Sequence, residues 1–135
     1  MRSFRNLVAV FAATLLAFSV LGSSASASSK TFHLTKTCSI PGALCTVLTS
    51  SFKEIPAGTD ITYTWASTTI AYPTIVIRNG STTGVCDWNQ VAPIRAKCTF
   101  GTGTGRLTQF HLAVDVTNVG TLWLWDGVYW SGNGD

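Results

Sequence analysis

The stretch RLTQFHLAVDVTNVGTLWLWDGVYW, Arg106 to Trp130, alternates apolar and polar side chains on both sides of Asn118, Val119 and Gly120. A period of two marks a strand with one buried face, and two such strands around a Gly-containing loop make an antiparallel hairpin. With Asn118-Val119-Gly120 as a three-residue loop, Thr117 lies opposite Thr121. One face then collects Phe110, Leu112, Val114, Val116, Leu122, Leu124, Val128 and Trp130, a core surface with Asp126 as its one misfit. The other face sets Gln109 opposite Tyr129, His111 opposite Gly127, Ala113 opposite Trp125 and Asp115 opposite Trp123. This two-face division depends on the loop length, because a one-residue slip sends every side chain of one strand to the other face.

The same chemistry extends toward the N-terminus. Thr, Val, Ile, Trp and Tyr dominate, Gly, Pro and Asn punctuate at short intervals, and no long helical period occurs. Strands are expected near 31–36, 44–51, 59–66, 70–78, 83–88, 94–100, 106–117 and 120–130. About eight short strands in one small domain predict an all-β fold, a small antiparallel barrel, with a two-sheet β-sandwich as the alternative. Pro56-Ala57-Gly58 separates two strands, and Asn79-Gly80 is expected to supply the positive-φ residues of a tight turn. Asn79-Gly80-Ser81 also fits the N-glycosylation acceptor pattern, although hairpin geometry accounts for the same residues. Ile61, Tyr63 and Trp65 share one face of their strand, and Ile94, Ala96, Cys98 and Phe100 alternate with Arg95, Lys97 and Thr99.

Residues 1–27 read as a secretory signal peptide. Arg2 and Arg5 form its charged start, Leu7 to Leu21 its apolar run, and Ala25-Ser26-Ala27 its cleavage region. The apolar run is short for a membrane span, so the mature domain, residues 28–135, is expected to be secreted without a membrane span after cleavage. The whole chain carries a net charge of +3. The mature domain keeps seven basic against six acidic residues, and the basic ones form no run, which removes the electrostatic case for a nucleic-acid partner.

Cys38, Cys45, Cys86 and Cys98 all fall in the mature domain. An even number of cysteines in an oxidising compartment points to disulfides. Of three connectivities, sequence proximity favours Cys38–Cys45 with Cys86–Cys98. No C-x-x-C pair occurs and the two histidines are isolated, so neither a zinc site nor another metal site is expected.

Catalytic motifs are weak. Gly101 to Arg106, GTGTGR, lacks the last Gly of a dinucleotide fingerprint and the Gly-Lys-Ser/Thr ending of a P-loop, and reads as a flexible connection. No cofactor follows. There is no G-x-S-x-G elbow, and His111 and Asp115 stand roughly 13 Å apart on one strand. His111 has Asp87 and Asp126 as possible partners across the fold.

The residues Gln109, His111, Asp115, Trp123, Trp125 and Tyr129 mix aromatic planes with donors and acceptors, which is what a ligand surface needs. Barrel packing explains the same aromatics. Phe100-Gly-Thr-Gly-Thr-Gly-Arg-Leu107, followed by two long strands, resembles the Gly-Thr-Gly-Arg-Phe segment of the allene oxide cyclase and dirigent barrel-like families. Trp125 to Tyr129 is similar to the Trp-Asp-Gly-x-Tyr segment of small exported bacterial proteins. The resemblance implies an eight-stranded antiparallel barrel with a central cavity and assigns no catalytic residue. The expected function is non-catalytic binding of a small molecule or extracellular component. A dirigent-like or cyclase-like enzyme and a secreted interaction or inhibitor module are the alternatives.

Overall fold

The computed structural model describes residues 28–39 and 44–132, and the signal peptide expected at residues 1–27 lies outside them. Among the described residues there are strands and turns and no helix. The strands are β1 (Lys30–Ser39), β2 (Leu44–Ser50), β3 (Asp60–Trp65), β4 (Ile70–Ile77), β5 (Gly80–Asp87), β6 (Ala96–Phe100), β7 (Thr104–Gly105), β8 (Phe110–Val119) and β9 (Leu122–Ser131). Each long strand pairs antiparallel with the next, β6 passes directly to β8, and β9 closes onto β1. The result is a closed eight-stranded barrel in which every long strand has two neighbours, so none is left as an open edge. Two-residue β7 lies outside this circuit against the start of β5.

Alternation drives the burial. Phe32, Leu34, Val47, Ile61, Ile75, Leu112, Val116 and Trp125 point inward and form the core along the axis. Ala96, Cys98 and Phe100 also point inward while Lys97 and Thr99 face out, as their spacing requires. Cys38–Cys45 and Cys86–Cys98 are both bonded, each joining directly paired residues of neighbouring strands.

The last hairpin differs from its expected register. Val119 pairs with Leu122 and Asn118 with Trp123, leaving only Gly120 and Thr121 in the turn. Gly120 takes φ +61°, the left-handed conformation that a two-residue turn favours at its first central position. Asn118 stays in the strand and caps the turn from there, its Nδ2 donating to the carbonyls of Gly120 and Leu122. Shortening the loop by one residue turns β9 over relative to β8. Trp123, Trp125 and Tyr129 therefore join the inward face of Leu112, Val114 and Val116, while Trp130, Val128 and Asp126 face outward beside His111, Ala113 and Asp115.

Two further local expectations change. The β4–β5 turn is Arg78-Asn79, one residue earlier than Asn79-Gly80, and Gly80 opens β5. Within the glycine-rich segment, expected as a flexible connection, Thr104–Gly105 forms the short strand β7. Gly105 has φ +58°, and a Cβ there would meet the Asn79 carbonyl oxygen at 1.9 Å, so only glycine permits this approach of β7 to the β4–β5 turn.

Candidate functional site

The two ends of the barrel are closed by different chemistry. Ile55, Leu107 and Phe52 plug one end, where Phe52 stacks on Phe110 at 5.1 Å between ring centroids and packs against Tyr129 at 4.7 Å. The other end carries Trp65 from the end of β3, Trp88 just after β5 and Trp123 from the start of β9. Trp88 joins the other two, at 5.5 Å to Trp65 and 5.7 Å to Trp123. Trp65 remains 44% exposed, so the cluster presents an aromatic surface at the mouth.

Beneath it lies Lys36. The order Phe32, Leu34, Lys36 along β1 places a lysine on the inward face, and only 1% of it is exposed. Its Nζ donates a 2.9 Å hydrogen bond to the Tyr63 hydroxyl. It also sits 5.0 Å from the ring centroids of Tyr63 and Trp125 and 5.9 Å from that of Trp123. β2 bulges at this level, since Thr35 pairs with Thr49 but Lys36 with Val47, leaving Leu48 as the extra residue.

Burial lowers the Lys36 amine from 10.5 to about 7, because little water remains to solvate an ammonium. The surrounding aromatic faces favour the cation and give it a partner that is not an anion. Burial also raises the Tyr63 phenol, which therefore stays protonated at neutral pH. The Trp125 indole N–H lies toward that phenol and works in the opposite direction, without meeting hydrogen-bond geometry. A buried amine that changes charge near neutral pH can hold an acidic group or an acceptor without carrying a fixed charge into the core. Trp88 Nε1 is buried and has no partner among the described residues, which leaves a second donor at the same mouth.

The six residues expected to form one ligand surface fall in three places. Trp123 and Trp125 line the lysine cage. Tyr129 is inward but near the plugged end, where it and exposed Gln109 border an open cleft of about 670 Å³. His111 and Asp115 are on the outer wall. His111 stacks on Trp130 with planes 7° apart, and Asp115 accepts a 3.1 Å hydrogen bond from Lys97. Asp126, the expected misfit, is also outside, where it pairs with His33 of β1 rather than with His111.

A second cleft of about 590 Å³ at the plugged end is lined by Lys53, Arg78, Arg106 and Glu54, and the Arg106 guanidinium lies 3.5 Å from Glu54. Both clefts are wide and open, and the charges around them are largely solvated. The buried titratable pair lies at the tryptophan mouth, which makes the mouth the better candidate.

Sequence reasoning passed over Lys36, Tyr63 and Trp88 as functional residues. The alternation of Phe32, Leu34 and Lys36 was the available signal for the lysine. Comparison with protein-family models, curated proteins and solved structures finds no match to this chain.

Proposed function

We propose that the mature chain is a secreted, non-catalytic binding protein whose site is the tryptophan mouth. Its ligand has an apolar or aromatic body that lies on Trp65, Trp88 and Trp123 and an acidic or acceptor group that meets Lys36. One observation carries this reading: a lysine buried to 1% exposure is enclosed by Tyr63, Trp123 and Trp125 directly beneath a partly exposed tryptophan cluster. Aromatic planes supply contact area, and a single convergent polar group fixes orientation. The oxidised cysteines agree with work in an oxidising compartment.

Titration with anilinonaphthalene sulfonate, an aromatic anion, against its uncharged parent amine tests the reading. The anion should bind more tightly, and Trp123→Ala and Lys36→Met should each weaken it by about tenfold, equivalent to about 1.4 kcal/mol. Equal affinity for the two probes, with both variants unchanged and folded by circular dichroism, would sink the assignment.

A second reading rests on the rim. Val91 is 86% exposed and Val119 64%, and Leu44 and Leu122 are also exposed at the strand ends and loops of this end. Such an apolar ring suits an interaction module that docks a protein surface over the mouth. Loss of partner binding on Val91→Asp, with probe binding retained, would favour that reading.

A further inference from the structure

The two disulfides stand in different surroundings. Cys86–Cys98 bridges β5 and β6 with both residues buried in the barrel wall. Cys38–Cys45 bridges β1 and β2 at the tryptophan end, and Cys38 is only partly buried whereas Cys45 is 1% exposed. Lys36 Nζ lies 3.7 Å from Cys38 Sγ and 3.6 Å from Cys45 Sγ. The same amine that bonds Tyr63 thus contacts both sulfurs of one bridge.

We infer that Cys38–Cys45 is a thiol-exchange site, opened by a small thiol or the dithiol of a partner protein, with Lys36 stabilising the thiolate that leaves. This goes beyond ligand binding and does not require the mouth to hold a ligand.

The chemistry follows from the positions. An incoming thiolate attacks Cys38 Sγ, the more accessible sulfur, forming a new S–S bond as the Cys38–Cys45 bond breaks. The electron pair of the broken bond departs on Cys45 Sγ, beside the Lys36 ammonium. A second thiolate from the reagent attacks the reagent sulfur of the mixed disulfide and releases Cys38 as a thiolate. The protein bridge is reduced by two electrons, and two reagent thiols are oxidised to one disulfide.

Exchange is faster when the leaving sulfur is a better thiolate, and a neighbouring cation is a standard way to make it one. Burial alone would raise the thiol of Cys45, so the lysine is what makes it a competent leaving group. The Lys36 amine, held near 7 by burial, gains an anionic partner in the same step and becomes the full ammonium of an ion pair. Tyr63 remains as its neutral hydrogen-bond acceptor. Cys86–Cys98 has no such amine among its described contacts and serves as the internal control.

The test is timed reduction of the oxidised mature protein by limiting dithiothreitol, with alkylation of freed thiols and peptide mass mapping of each bridge. Cys38–Cys45 should open at least about tenfold faster than Cys86–Cys98. Lys36→Met should slow the first bridge by at least about tenfold more than it slows the second. A variant that slows both bridges equally would assign the effect to global stability and overturn the proposal. Equal opening of the two bridges in the unaltered protein would overturn it as well. The pH dependence of alkylation at Cys45 in the singly reduced protein gives a readout that does not depend on a variant. Its thiol should titrate below the ordinary value of about 8.5, and a value at or above that contradicts the inference.

Discussion

Lys36 Nζ and the Tyr63 hydroxyl meet at 2.9 Å inside the barrel, on strands separated by β2. A polar pair is thereby embedded where its neighbours are Trp123, Trp125 and a disulfide. An apolar side chain of the same size would fill this place at lower cost, so the pair is a site at which stability is given up.

That loss has a defined pH dependence. The unfolded chain holds the Lys36 proton up to its ordinary value of 10.5, whereas the folded protein sheds it at about 7. Between these values the unfolded state binds more protons, so stability rises with pH, and below about 7 the cost of burying the charge is present in full. Lys36→Met should therefore be more stable at pH 7 by on the order of 4 kcal/mol and should lose the upward slope between pH 7 and 9.5. Denaturant unfolding at several pH values checks this, and a slope identical in the two proteins contradicts it.

The tryptophans of β9 separate by face. Trp125 is fully buried, whereas Trp130 lies on the outer wall against His111. Trp125→Ala should cost about 3–5 kcal/mol, and Trp130→Ala about 1 kcal/mol. Urea unfolding of both variants decides the matter, and the opposite ranking would restore the three-residue loop.

Gly105→Ala should destabilise the fold by at least about 1 kcal/mol, since the left-handed backbone and the close Asn79 carbonyl both oppose a Cβ. Gly101 accepts a Cβ without a near neighbour, so Gly101→Ala serves as the control. Equal melting temperatures for the two variants would return the segment to a loose connection.

Much of the fold could be read locally. The alternations in β3, β6 and β8 and the short spacings within each cysteine pair predict strands, inward faces and bridges, because each depends on residues close in sequence. The register of the last hairpin could not be read in the same way. Both Asn118-Val119-Gly120 and Gly120-Thr121 have acceptable turn chemistry, and one residue of difference exchanges the two faces. The site was harder still, since it forms only on closure. β9 must pair with β1 before Trp123 stands beside Lys36, and the same closure brings His33 to Asp126 across 93 positions. Alternation along β1 fits an inward lysine, but the aromatic cage that makes its burial tolerable comes from β3 and β9.

The most direct test of binding at the mouth is a proton–nitrogen NMR titration of the five indole N–H groups with anilinonaphthalene sulfonate. The signals of Trp65, Trp88 and Trp123 should shift together with a single saturable dependence, while Trp130 on the outer wall stays fixed. Movement of Trp130 with the three mouth signals unchanged would contradict the site.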